Sequence, residues 1–279
     1  MAQHRSLLAA GVVLLAVGAP VHAGERLFGY SYEPTTMPAG AVELEQTVTP
    51  RLGKAGGVFS EFDMRSEIEV GVLDYLQTSL YLNTDMTRAA DARSGRHNAG
   101  FITNDSGDQR FSDFSFDSIS NEWILKFLDT VADPIGLAAY VELETNGSEF
   151  EIEEKILLGK VIGQFSIAVN LIFEQDFRAR ENEPNRAIHF NLAAGVAYRV
   201  PDTPLSIGLE FRQENQLDFY TQYTHSVISI GPNVHWATEH WWATITVLPQ
   251  IASPTPSYKS FDYDGYEVIE IRLIVGVEF

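Results

Sequence analysis

Cysteine is absent from the 279 residues, which removes disulfide frameworks and thiolate chemistry alike. Basic residues are scarce, with 19 Lys and Arg against 38 Asp and Glu and a formal charge of −19. That balance excludes nucleic acid as a partner, because phosphates are gripped by Lys and Arg. Long apolar runs are also missing. The run from Ser6 to Gly18 falls short of the roughly 20 residues that a spanning helix requires. No helical 3.6-residue periodicity of any length is present. Nor does the chain carry a Gly-x-Ser-x-Gly elbow, a His-Glu-x-x-His pair or a phosphate loop. A catalytic role and a cofactor are therefore not expected, and His235 within a strand is read as a wall histidine bonded to its neighbours.

The N-terminus carries an export pattern. Positive charge in Met1 to Arg5, the apolar run, and Val21-His22-Ala23 together predict a signal peptide over residues 1–23, cut after Ala23. A buried N-terminal helix is the alternative. What remains, residues 24–279, is expected to form one domain.

Period-two alternation fills that domain in blocks of about ten residues, the length of a tilted membrane strand. In the last block Ile269, Ile271, Leu273, Val275, Val277 and Phe279 share one face, while Glu270, Arg272, Gly276 and Glu278 share the other. Phe190, Leu192, Ala194, Val196 and Tyr198 alternate with Asn191, Gly195 and Arg199 in the same way. Strands are expected near 42–50, 60–70, 75–83, 116–127, 136–145 and 149–161, with six more behind them. The connections alternate between short ones, such as Pro201-Asp202-Thr203-Pro204, and long polar ones at 84–115, 176–188, 214–225 and 250–265. Outer-membrane barrels sort their loops this way, short on the periplasmic side and long outside. The expectation is an all-β fold: a single antiparallel transmembrane β-barrel of about twelve strands in the bacterial outer membrane. Phe279, ending an alternating strand, is expected to act as the signal read by the outer-membrane assembly machinery. Lipid and lipopolysaccharide are the remaining partners expected, and the oligomeric state is left open.

The segment Glu25-Arg26-Leu27-Phe28-Gly29-Tyr30-Ser31-Tyr32-Glu33 resembles the mature start of a family of uncharacterised proteobacterial outer-membrane β-barrel proteins. Glu67-Ile68-Glu69-Val70-Gly71-Val72-Leu73-Asp74, Asp133-Pro134-Ile135-Gly136, and Gly231-Pro232 with Trp236 carry the resemblance further. It implies fold and location, and no activity.

Facing the water-filled side, the alternation places Glu43, Glu45, Glu67, Glu69, Glu122, Glu142, Glu144, Glu151, Glu153, Glu174, Glu210, Glu214 and Glu270. Six bases join them: Arg65, Lys126, Lys155, Arg199, Arg212 and Arg272. A two-residue Asn146-Gly147 turn sets Glu144 opposite Glu149 and Glu142 opposite Glu151. An Ile162-Gly163 turn sets Glu151 opposite Glu174 and Lys155 opposite Asn170. Glu142, Glu151 and Glu174 then form a row of like charges, which destabilises a ladder unless something compensates it. Three readings stay open: an internal salt-bridge network, a cation-attracting pore wall, or a bound cation such as Ca²⁺. Glu154 falls on the lipid face, where a bulge near Glu153 would turn it inward. Trp123, Trp236, Trp241, Trp242, Tyr75 and Tyr198 read as interface girdles, with an inward, ligand-stacking Trp242 as the alternative. Two functions follow: a porin-like passive channel for small polar solutes with a mild cation preference, or a closed barrel that is structural or binds a surface partner.

Overall fold

The computed structural model describes residues 25–93, 100–178, 187–218, 222–255, 260–263 and 265–279. The signal peptide expected at 1–23 lies outside them. Twelve antiparallel strands close into one barrel: β1 (Val42–Leu52), β2 (Gly56–Leu73), β3 (Leu76–Arg93), β4 (Arg110–Leu128), β5 (Gly136–Thr145), β6 (Glu149–Ile162), β7 (Phe165–Arg178), β8 (Ala187–Arg199), β9 (Leu205–Asp218), β10 (Gln222–Ala237), β11 (Trp241–Ala252) and β12 (Ile269–Glu278). Each strand pairs with its sequence neighbours, and β1 pairs with β12, from Glu43 opposite Glu278 to Leu52 opposite Ile269. Closure leaves no edge strand, which is what a sheet surrounded by lipid requires.

Outward positions carry Leu44, Ile68, Leu80, Ile119, Ile207 and Leu209, all exposed. A band of this kind faces hydrocarbon, since a water-soluble surface does not carry so large a contiguous apolar area. Tyr75, Trp236 and Trp241 are exposed near the short-turn end, as girdle residues are. Trp242 is not one of them. Its side chain is 1 % exposed, turns inward and donates Nε1–H to Glu43 at 3.1 Å.

The structure moves several boundaries. The stretch 84–115 is largely strand, because β3 and β4 continue their pairing to Ala90 opposite Arg110. Beyond the lipid band both faces meet water, so the residues are polar on both sides and the alternation that marks a strand disappears. Two hairpin registers also shift. Asn146 Oδ1 accepts the amides of Ser148 and Glu149 at 3.0 and 2.9 Å, an Asx-type loop that spends two more residues than an Asn-Gly turn. Thr145 then faces Phe150, Glu144 faces Glu151, and Glu142 faces Glu153. In the next hairpin Gly163, at φ 61°, is the first central residue of the loop, where a II′ turn places glycine. Ile162 therefore faces Phe165, Lys155 faces Ile172, and Asn170 faces Leu157. Both β6 ladders run without a bulge, so Glu154 stays exposed on the outer face, opposite Val141 and Phe173.

The interior holds a part of the chain that period-two reading does not reach. Residues 25–41 enter the barrel at the short-turn end and run around its inner wall before becoming β1.

Candidate functional site: a lumen closed by the N-terminal segment

Inward positions of β5 to β8 near the short-turn end are small: Gly136, Ala138, Gly159, Ala168, Gly195 and Ala197. Twelve strands enclose more space than such side chains can fill, and the N-terminal segment fills it. Phe28 is fully buried and lies so close to Gly195 that a Cβ there would meet its ring at 2.6 Å. Leu27 and Phe28 pack with Ala168 and Ala197. Pro34 sits over Gly159 in the same way, with its Cδ 2.6 Å from a Cβ built there.

The segment has no strand partner, so its backbone groups are satisfied by side chains of the wall. Glu210, 1 % exposed, accepts three consecutive amides: Gly29 at 2.9 Å, Tyr30 at 3.0 Å and Ser31 at 2.8 Å. Thr246 Oγ1 donates to the same carboxylate at 2.6 Å. Asn170 pairs with both backbone groups of Tyr32, accepting from N at 2.6 Å and donating to O at 2.8 Å. Asn233 donates to the Leu27 carbonyl at 3.1 Å, and Gln77 accepts from Met37 N at 2.9 Å. Wall cations clamp the aromatic rings. Arg272 and Arg212 lie 4.1 and 4.9 Å from the Tyr30 ring centroid, and Lys155 lies 4.4 Å from that of Tyr32.

Above this floor lies a cavity of about 260 Å³, reached from the long-loop end and lined in part by Arg26, Tyr30 and Tyr32 of the segment. On its β5–β7 wall the carboxylates form two cross-strand rows. One is Glu142, Glu153 and Glu174; the other is Glu144, Glu151 and Asp176. The row expected from sequence thus contains Glu153 where Glu151 was placed, which follows from the hairpin shift. Arg65 crosses from β2 to Glu142 at 2.9 Å and reaches Glu144 at 3.8 Å. Lys155 pairs with Glu153 at 2.6 Å. His189 lies 3.5 Å from Asp176 and 3.9 Å from Glu174, and the ligand atoms of these three residues all fall within 4.8 Å of one another. On the facing wall Arg212 bonds Glu214 at 2.7 Å and Glu270 at 2.8 Å, and Arg51 joins Glu270 at 3.3 Å. Arg272 donates to Thr49 and to the Gly29 carbonyl. Eight carboxylates and six cations line the cavity, so its balance is mildly acidic.

Lys126 and Arg199 stand apart from this cavity, close to the short-turn ends of β4 and β8. His235 bonds Thr244 Oγ1 at 2.8 Å and lies 3.5 Å from Glu25. Phe279 is 77 % exposed, and its amide donates to the Val42 carbonyl at 3.0 Å, beside the β1–β12 seam.

A family model covers residues 20–279. The chain belongs to the Family of unknown function DUF6662. Among solved structures this DUF6662 barrel is similar to the COG4313 outer membrane channel from Pseudomonas putida F1. The two are 12 % identical over 88 % of this chain and 97 % of that one, with a TM-score of 0.57. It is similar also to the translocator domain of the autotransporter NalP from Neisseria meningitidis, at 12 % identity, 86 % and 89 % coverage and a TM-score of 0.49. The KdgM porin, solved in complex with oligogalacturonate, is 10 % identical over 86 % of this chain and 99 % of its own, with a TM-score of 0.45. No curated protein matches the chain. The likeness to the COG4313 channel agrees with the closed antiparallel β-barrel fold. In outer-membrane barrels the short-turn end is periplasmic and the long-loop end external.

Proposed function

We propose that this protein is a porin-like pore for small polar solutes with a mild cation preference, held shut from the periplasmic side by its own residues 25–41. The single observation that carries the reading is the acidic cavity of about 260 Å³ that opens outward and ends on Arg26, Tyr30 and Tyr32. Its eight carboxylates raise the local concentration of cations, and its low-dielectric walls strengthen that field. The polar anchoring of the segment supports a movable closure, because water entering the lumen can replace each side-chain hydrogen bond.

A second reading is a permanently closed barrel that serves as scaffold or binds lipopolysaccharide or another surface partner. The side-chain bonds to residues 27–37 favour it. Planar-bilayer recording separates the two. Full mature chain is expected to be silent or to open rarely, whereas chain lacking residues 25–40 conducts in discrete steps with cations favoured. Silence of the folded, shortened chain overturns the pore reading in favour of the closed barrel, and clear anion selectivity overturns the cation preference. The C-terminal Phe279 is proposed as the assembly signal; its replacement by alanine should lower the folded fraction in cells and leave refolding in detergent intact.

A further inference from the structure

The outer cavity has two chemically different walls. In the closed ring β12 lies across from β6, so the walls they carry face each other over the lumen. From β9, β12 and β1 the lining takes Arg212, Arg272 and Arg51 with two threonines, and no carboxylate. Glu214 and Glu270, which bond Arg212, are buried and stay behind the guanidinium groups instead of lining the space. From β5, β6 and β7 the lining takes five carboxylates and a single cation, Lys155. Charge is thus separated across the lumen.

Each wall also holds a charge that its own neighbours leave unmet. On the acidic side Arg65 answers Glu142 and Glu144, and Lys155 answers Glu153. Glu151 faces Glu144 on one strand and Asp176 on the other, and pairs with no cation among the described residues. Glu174 faces Glu153 and has only His189, 3.9 Å away. Like charges opposed in this way destabilise a ladder, and an ammonium group set between them relieves it. Across the lumen Arg272 donates to neutral oxygens, Thr49 Oγ1 at 3.0 Å and the Gly29 carbonyl at 3.2 Å, over the Tyr30 ring. Its planar fork keeps further donors for a carboxylate, the group a guanidinium grips best. The space of about 260 Å³ lies below the roughly 300–1,000 Å³ of pockets that take drug-sized ligands, so its occupant is small.

We infer that the outer cavity binds a small zwitterion, an amino acid or a dipeptide, with its ammonium group at Glu151 and Glu174 and its carboxylate at Arg272. A simple cation leaves Arg272 unanswered, and a simple anion leaves the Glu151 row uncompensated. A molecule bearing both charges lays its dipole along the field between the walls and satisfies both. The inference rests on the pore reading and names its solute, yet binding from the outer side is measured on the closed chain without a current.

Glycylglycine is titrated into folded mature chain in detergent at low ionic strength, with the heat of binding as readout. One saturable site is expected, with N-acetylglycylglycine and glycylglycine amide each weaker by about tenfold or more, the worth of one lost charged hydrogen bond. Arg272→Gln should weaken glycylglycine to the same extent without weakening the amide, which has no carboxylate to lose. Glu151→Gln with Glu174→Gln should likewise weaken glycylglycine and spare the acetylated form. Lys126→Gln, away from the cavity, should leave all three unchanged. Heat-modifiable migration on gels shows that each variant is folded, and either cavity variant alone carries the test. No saturable heat, equal affinity for the three ligands, an amide that matches glycylglycine, or unaltered affinity in the folded cavity variants overturns the inference. The current of the shortened chain decides the pore reading separately, so a failure here beside a conducting chain strikes the solute class alone.

Discussion

Replacing Glu210 with alanine removes the carboxylate on which the amides of Gly29, Tyr30 and Ser31 and the Thr246 hydroxyl converge, all within 3.0 Å. A buried donor left without an acceptor costs about 1–3 kcal/mol, and bonds to a charged acceptor lie at the upper part of that range. Water drawn into the space vacated by the side chain recovers part of this, so about 1 kcal/mol for each of the four donors is the reasonable figure. The sum, about 4 kcal/mol, shifts the ratio of seated to released segment by about a thousandfold. The barrel itself keeps every ladder bond. Trypsin added on the periplasmic face of liposome-embedded protein should therefore cut after Arg26 far faster in Glu210→Ala, with the barrel still folded. Bilayer recordings should show frequent openings. Unchanged cleavage and unchanged current in a folded Glu210→Ala protein would refute the idea that this carboxylate holds the segment.

Gly195→Leu should release the segment by a different route, since a side chain there occupies the seat of the Phe28 ring; faster cleavage after Arg26 without a change in barrel melting is the expected result. Glu154→Leu removes an exposed carboxylate from the lipid face and should stabilise the barrel by roughly 1–2 kcal/mol in vesicles, a little less than the gain for a basic residue at the midplane; urea unfolding measures it. Neutralising Glu151 and Glu174 in the chain lacking residues 25–40 should reduce its cation preference, read as a smaller reversal potential in a salt gradient.

The barrel was legible because lipid outside and water inside dictate every second residue within the membrane band, and Ile269 to Phe279 shows this plainly. The inward placement of charged residues follows from the same parity. Register was not legible, because it depends on how Asn146 and Gly163 shape their loops, and a two-residue offset leaves every face unchanged. The N-terminal segment was not legible for another reason. An irregular chain bonded by wall side chains has no period to read, and Glu25 to Glu33 offered only a family likeness. A signal did exist on the other side of the contact: the inward glycines and alanines of β5 to β8 leave a void that must be filled from elsewhere. Trp242 was drawn into the girdle by its position at a strand end, although its parity points inward.

The most direct test of the closure exploits the absence of native cysteine. Thr246 Cβ lies 2.9 Å from a Cβ built on Gly29, within reach of a disulfide after a shift of roughly 1 Å in the segment. Placed in the Glu210→Ala protein, whose segment is released, Gly29→Cys with Thr246→Cys should silence the bilayer current when oxidised and restore it, with cations favoured, once reductant is added. Identical currents before and after reduction would contradict the account.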